Sequence, residues 1–412
     1  MTLLGLPRAR ASALVVLAAL AVAAPQAAQA QPQPPPGRER GASTPKAAPT
    51  DTAFDRLAKA AEDERTAGRL DEGARLYQQA LKLRPSWTEG RWYLGTILYG
   101  LERFAEARDA FLRVVGTKPD DGRAWAFKGL CEFELRSYDR ALSDLQRAQL
   151  LGIPGRETYH VATYHYGILL TRYEQFEESM EYLSRLAREG NESTSIAEAL
   201  GLSVLRMPFL PSEAPPQKRE MVLMAGRATI HWANARRAAA RAGYEELLLR
   251  YPEAPNAHYA FGVFLLKEDA DAALDQFNRE LRISPLHVEA MLQIALEKNL
   301  RAEHEEALAL AQKAVEIAPR NSAGRNVLGR ILLNRDDVEG AIKNLEEGAR
   351  LAPLSREMHF ELARAYARAG RKDDAARERE TFRKLDEATQ ATRNPDQSLG
   401  GADPASKEKP PE

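Results

Sequence analysis

The chain has 412 residues, 44% hydrophobic and 28% charged, a composition typical of a folded soluble protein. Its 58 lysines and arginines nearly balance 59 aspartates and glutamates, and no basic block stands out, which argues against nucleic-acid binding by charge alone. Cys131 is the only cysteine, which excludes an intrachain disulfide and a zinc site built from cysteines. It lies beside Leu130 and Phe133 in a helical pattern, so we expect it to be buried.

The N-terminus predicts an export signal over residues 1–30. Arg8 and Arg10 supply positive charge, residues 13–24 are apolar, and Ala28-Gln29-Ala30 is a small-residue cleavage site, with the cut after Ala30. The apolar run is short for a membrane span. We therefore expect a periplasmic or secreted protein that has no membrane span after cleavage. An uncleaved signal that anchors the chain is the alternative.

Two segments have a composition that predicts disorder. Residues 31–50 are rich in proline, glutamine and alanine and contain no aromatic residue, which is typical of a linker. Residues 392–412 are polar and rich in proline and glycine, which is typical of a disordered tail.

The clearest unit runs from Thr88 to Pro119. Apolar residues recur at helical spacing from Trp92 to Leu101 and again from Ala107 to Val115, and this pattern predicts two amphipathic helices joined by a turn. Proline closes the unit, and similar prolines are spaced by 33 or 34 residues within two parts of the chain: Pro85 and Pro119, then Pro252, Pro285, Pro319 and Pro353. A period near 34 indicates a helical repeat array.

The repeats fall into two predicted arrays. The first covers 51–190 with about four units, and the second covers 221–391 with about five. Between them, four prolines stand within the nine residues from Pro208 to Pro216, which a helix interior does not tolerate. We therefore predict an irregular Pro-rich connector over 191–220, in which residues 196–206 have the pattern of one helix and residues 207–217 form an irregular loop. The sequence leaves open whether this connector is a hinge or a degenerate repeat.

The spacing of Leu94-Gly95, Ala107, Phe111 and Pro119 resembles the tetratricopeptide repeat, which has an apolar-Gly pair, a small residue, an aromatic residue and a proline in this order. A later unit repeats the spacing at Leu328-Gly329, Ala341, Leu345 and Pro353. The resemblance implies an all-α fold, a right-handed α-solenoid of about nine helix-turn-helix repeats. Glycine is costly within a helix, so its recurrence predicts a close approach of a neighbouring helix.

The same resemblance implies a concave groove, lined by the first helix of each repeat, that binds a protein or peptide. The groove-facing places hold aromatic residues and, near the far end, polar and basic residues: Trp92, Tyr99, Phe133, Tyr164 and Tyr259, followed by Asn326, Arg330, Arg364 and Arg368. Such a groove suits an extended peptide with apolar side chains and an acidic group. The competing interpretation is that half of these aromatic residues pack between repeats and that the arginines are solvated.

Two common motifs of nucleotide binding and of nucleophilic catalysis do not occur in the sequence. Neither G-x-x-x-x-G-K-[ST] nor G-x-S-x-G occurs, and His160 and His165 are five apart, on different helix faces. Paired acids stand near helix starts, where they offset the helix dipole: Asp120-Asp121, Glu177-Glu178, Asp336-Asp337 and Asp373-Asp374.

These observations predict a non-catalytic exported scaffold or adaptor, without a metal or cofactor, that binds a protein or peptide in the groove. The alternative is an accessory or regulatory subunit of an envelope enzyme or of an export or assembly complex. In that alternative the segment 191–220 gates the site, and only its prolines support it.

Overall fold

The computed structural model describes residues 49–393, and their side chains over 52–387. The predicted signal, 1–30, lies outside this range. So do the predicted linker 31–50 and tail 392–412, except for two residues of each, which belong to the first and last helices.

Residues 49–393 contain 19 α-helices, one 3-10 turn and no strand. This confirms the all-α class that the periodicity predicted. The helices are α1 (Pro49–Thr66), α2 (Leu70–Leu83), α3 (Thr88–Gly100), α4 (Phe104–Thr117), α5 (Gly122–Glu134), α6 (Tyr138–Leu151), α7 (Arg156–Arg172), α8 (Phe176–Arg188), α9 (Thr194–Val204), α10 (Arg219–Ala233), α11 (Arg237–Arg250), α12 (Ala257–Leu265), α13 (Ala270–Ile283), α14 (Val288–Leu300), α15 (His304–Ile317), α16 (Ser322–Asn334), α17 (Val338–Leu351), α18 (Arg356–Arg368) and α19 (Lys372–Arg393).

The chain forms two compact units that divide between Ala235 and Arg236. In the N-terminal unit, the described helices α1–α10 pair successively into five antiparallel hairpins. In the C-terminal unit, α11 packs on α12, and α12–α19 pair into four hairpins. Within each unit, first helices also contact one another, and each unit is therefore a solenoid of stacked hairpins.

A turn that recurs inside several hairpins repeats with the period of 34. A residue in the left-handed region ends the first helix at Gly68, Glu102 and Arg136, which are 34 apart. This conformation lets the chain double back on the last carbonyls of the helix, as in the bond from Arg103 N–H to Leu98 O at 2.9 Å. Ala302, Asp336 and Gly370 repeat the turn with the same interval in the C-terminal unit.

Glycine recurs where the two helices of a hairpin touch, as the sequence predicted. A Cβ on Gly95 would lie 2.8 Å from the Phe111 ring, and one on Gly329 would lie 2.5 Å from Leu345. Each glycine stands opposite the aromatic or leucine residue of the repeat motif. The motif therefore encodes the contact between the first and second helices of one hairpin.

The closing prolines tie one hairpin to the next. At four of the six closing prolines, the carbonyl accepts a hydrogen bond from a side chain six residues later, in the following first helix. The pairs are Trp125 Nε1 to Pro119 O at 3.0 Å, His258 Nε2 to Pro252 O at 3.1 Å, Arg325 to Pro319 O at 3.3 Å, and His359 Nε2 to Pro353 O at 3.0 Å. The closing prolines lie between two helices, so their carbonyls accept no hydrogen bond within a helix, and this side-chain bond satisfies them.

The predicted connector 191–220 is not irregular throughout. It contains all of α9, which packs against α10 as the fifth hairpin. The two helices meet at glycines, since a Cβ on Gly201 would lie 1.9 Å from Val222 O and one on Gly226 would lie 1.8 Å from Ala197 O. The proline-rich stretch is only the turn between them, and its Leu210 is buried in the core of the unit. The segment is thus built as a degenerate repeat with a long internal turn.

Two smaller predictions, the burial of Cys131 and the capping role of paired acids, are confirmed. Cys131 is fully buried, and burial raises the pKa of its thiol far above the ordinary range. Asp121 and Asp337 cap helices by accepting hydrogen bonds from Ala124 N–H at 3.0 Å and Gly340 N–H at 2.9 Å. Among the described helices, none combines the length and the apolar character needed to cross a bilayer.

Candidate binding faces

The first helices form one layer in each unit. In the N-terminal unit α3 contacts α5, α5 contacts α7 and α7 contacts α9, and in the C-terminal unit α14 contacts α16 and α16 contacts α18. Each second helix packs between two first helices. The exposed side of the first-helix layer is therefore the face on which the predicted groove residues have to be judged.

Trp92 and Tyr99 do not lie on this exposed face, which corrects the sequence prediction. Trp92 is 9% exposed and Tyr99 is 2% exposed. Both rings pack edge-on against Phe127 of the next hairpin, with centroids 5.4 and 5.6 Å away, and Phe127 stacks on Phe111 at 5.1 Å. These rings are structural residues of the interface between hairpins.

The next predicted aromatic residues, Phe133, Tyr164 and Tyr259, are half-buried. Phe133 packs against His165 of the following hairpin with centroids 4.7 Å apart, and Tyr164 packs on the same imidazole at 5.4 Å. Tyr259 lies 4.7 Å from His287, which belongs to the turn before α14. Phe133 and Tyr259 therefore contact neighbouring hairpins, as the competing interpretation expected for some of these residues, whereas Tyr164 contacts the next residue of its own helix.

One position of the repeat supplies the contacts between successive hairpins. Phe127, His165 and Glu361 each stand two residues before the close-packed small residue of a first helix, Gly129, Gly167 or Ala363. Each contacts groove-predicted residues of the preceding hairpin: Trp92 and Tyr99, Phe133, and Arg330 respectively. The side chain two residues before the small residue of a first helix therefore packs against the preceding hairpin. Sequence spacing alone did not reveal this contact.

The buried His165 makes the N-terminal unit sensitive to acid. Its Nδ1 donates to Val161 O at 2.7 Å, and burial lowers the pKa of the imidazole below the ordinary 6.5. The unfolded chain therefore binds a proton that the folded chain does not, in the window below pH 6.5. The free energy of unfolding should fall there by up to about 1.4 kcal/mol per pH unit.

This pH effect is measured by comparing the chain with His165→Phe, which keeps a ring against Phe133 but cannot titrate. We expect denaturant unfolding to show that the stability difference between the two proteins changes between pH 7.5 and 5. A difference that stays constant over this range would contradict the assignment to His165.

The basic end of the predicted groove lies on α16 and α18 of the C-terminal unit. Arg330, Arg364 and Arg368 have side chains that are 37%, 46% and 48% exposed. The buried carboxylate of Glu361 lies 3.5 Å from Arg330 and 2.6 Å from Arg364. Arg368 donates to the Leu333 carbonyl and lies 3.5 Å from Asp336. Three guanidinium groups face two carboxylates, so the cluster keeps a positive excess.

Asn326 and Phe360 complete this face. Asn326 is half-buried, and its Nδ2 contacts Met358 Sδ at 3.8 Å. Phe360 is 48% exposed, with Arg364 6.0 Å above its ring and Phe382 at 5.8 Å. Sequence analysis missed Phe360, although it follows Asn326 by one period of 34. We call Asn326, Arg330, Phe360, Arg364 and Arg368 the C-terminal basic face.

The described side chains do not assemble a metal centre. Within this part of the chain, no three His, Cys, Asp or Glu side chains are grouped as ligands. His160 lies 2.7 Å from Glu189, whereas His165 is bonded to Val161 O, so these histidines serve separate contacts.

Comparison with known proteins agrees with this geometry. A tetratricopeptide repeat family model matches residues 58–122, 94–153, 226–288 and 326–379, together more than half of the chain. No curated protein matches the sequence.

Similar solved structures include several of MamA. MamA 41-end from Desulfovibrio magneticus RS-1 is 20% identical, and the match covers 42% of this chain and 96% of that one, with a TM-score of 0.35. The MamA RS-1 ArsTM double mutant is 18% identical over 41% and 96%, with a TM-score of 0.37. MamA AMB-1 is 22% identical over 40% and 98%, with a TM-score of 0.34.

Proposed function

The chain belongs to the tetratricopeptide repeat family, and we propose that it is a non-catalytic exported scaffold that binds a protein partner on a first-helix face. The observation that carries the proposal is the C-terminal basic face. It combines a half-exposed aromatic ring with three partly exposed arginines. Arginine and aromatic residues are the types that contribute most binding energy at protein interfaces.

The chemistry of the face defines the partner. Phe360 offers apolar surface for a side chain, and Arg330 and Arg364 share one carboxylate, so a second carboxylate from a partner balances their charge. Asn326 adds an amide for a backbone group. The proposed ligand is an extended peptide segment that places an apolar side chain next to an acidic one.

A pull-down with the purified full chain as bait tests this proposal. From an extract of the extracytoplasmic fraction of producing cells, we expect a specific protein to be retained by the unchanged chain. Retention should fall at least about tenfold for Phe360→Ala combined with Arg364→Ala, because truncated interface anchors typically cost more than 1 kcal/mol each. Protection of the chain from added protease both in intact cells and after selective permeabilisation of the outer membrane would contradict export.

The matched control is Leu112→Ala, which removes a 52% exposed apolar side chain from the second helix α4. It should bind as the unchanged chain does. Equal retention by all three proteins would rule out the C-terminal basic face as the binding site. Turnover of a small substrate by the purified chain would rule out the non-catalytic role.

The alternative role, in which 191–220 gates a site, has less support. Leu210 of this segment is buried in the core, and Glu213 pairs with Arg172 and accepts a hydrogen bond from Leu210 N–H at 3.2 Å. A gate has to leave its closed position at low cost. These contacts hold the segment to the N-terminal unit instead.

A further inference from the structure

A second surface lies on the N-terminal unit. It is an open cleft of about 540 Å³ between α2, α3 and α4. Its floor is apolar, with Leu81, Leu94 and Leu98 among the lining residues. Three cationic side chains also line it: Lys82, Arg91 and Arg113.

These three cations have no carboxylate of their own within the described part of the chain. Two acids line the cleft, but Glu106 is held by Arg103 at 2.7 Å and Asp109 by Arg108 at 2.8 Å. No described carboxylate lies within salt-bridge distance of Lys82, Arg91 or Arg113. The cleft therefore carries an uncompensated positive charge above an apolar floor.

Two of the six closing prolines lack the tie between hairpins: Met291, six residues after Pro285, has no donor, and Arg91, six residues after Pro85, does not use its donors in this way. The equivalent residues Trp125, His258, Arg325 and His359 each donate to the carbonyl of the closing proline six residues before. Arg91 stands six residues after Pro85, yet its guanidinium makes no hydrogen bond or ion pair with any described residue. Its five donors remain available in the cleft.

The electrostatic setting of Arg91 favours an anion. Partial burial and the neighbouring charge of Arg113 lower the pKa of the Arg91 guanidinium. Both effects penalise the charged form in the unliganded protein. A carboxylate between the two guanidinium groups would remove the repulsion and supply the missing acceptor.

We propose that this cleft docks an acidic segment of a partner protein, with a carboxylate held by Arg91 and Arg113 and an adjacent apolar side chain on the leucine floor. The cleft is open rather than enclosed, so an extended chain lies across it without threading. The surface is separate from the C-terminal basic face, and the proposal does not depend on the function proposed above.

A random octapeptide library displayed on phage is the probe. The bait is the full chain with Phe360→Ala and Arg364→Ala, so that the C-terminal basic face does not capture peptides of the same kind. It is compared with the same protein that also carries Arg91→Gln and Arg113→Gln. We expect the first bait to enrich peptides that carry Asp or Glu beside Leu, Ile, Val or Phe. The second bait should lose this enrichment, and a labelled winning peptide should bind it at least about tenfold more weakly by fluorescence anisotropy, because each charge-assisted bond is strong.

One control makes the outcome specific. Arg75→Gln, introduced into the first bait, makes the same chemical change on α2, at an exposed arginine that pairs with Glu72. This control should keep the enrichment, and circular dichroism should show that every variant is folded. The proposal is overturned if the first bait does not enrich acidic peptides, if the second bait enriches the same peptides, or if Arg75→Gln loses them as well.

Discussion

Gly226→Ala is expected to destabilise the N-terminal unit by about 3 kcal/mol or more, because the new methyl group meets backbone rather than a movable side chain. Its Cβ would lie 1.8 Å from Ala197 O and 2.9 Å from Gly201 N. The methyl group therefore has to push α10 away from α9. A shift in the midpoint of denaturant unfolding, followed by circular dichroism, measures the loss.

Gly116→Ala is the matched control for this substitution. Gly116 lies in α4, and nothing stands within 4 Å of the position of its Cβ. Alanine is the better helix former, so this change should be neutral or stabilising by up to about 1 kcal/mol. Equal effects of the two substitutions would show that the crossing at Gly201 and Gly226 is looser than the structure has it.

Much of the fold could be predicted from the sequence because the repeat motif is made of local contacts. Gly95 and Phe111 touch within one hairpin, and their spacing is constant from repeat to repeat. The fold of segment 191–220 was harder to predict. Its helix α9 packs on α10 where Gly201 and Gly226 meet, and a long turn with four prolines separates these two glycines in the sequence. The prolines interrupt the period of 34, so the sequence pattern did not pair the helix before them with the helix after them.

The candidate site was less predictable for a physical reason. A groove-facing aromatic residue and an aromatic residue packed between repeats have the same helical period. Trp92, Asn326 and Phe360 occupy equivalent places, yet Trp92 is covered by Phe127 of the next hairpin, while Phe360 belongs to the last described hairpin and keeps half of its surface exposed. Exposure here depends on the neighbouring repeat, which periodicity within one repeat does not report.

Phe127→Ala tests this distinction between packing and binding. Phe127 is fully buried and its ring contacts Trp92, Tyr99 and Phe111. Removing it leaves a cavity at the seam of two hairpins, and we expect the free energy of unfolding to fall by about 3–5 kcal/mol. The shift of the denaturant midpoint measures it, and retention of the partner by the fraction that remains folded should not change.

Phe360→Ala is the same chemical change at an exposed place, and it should weaken partner retention while it leaves stability almost unchanged. Since half of the Phe360 surface already faces solvent, its truncation should cost at most about 1 kcal/mol of stability while it weakens partner retention. If Phe127→Ala were as mild as Phe360→Ala, the aromatic seam would not be the core of the N-terminal unit. Trp92 and Tyr99 would then return as candidates for the binding face, because the contacts with Phe127 are what remove them from it.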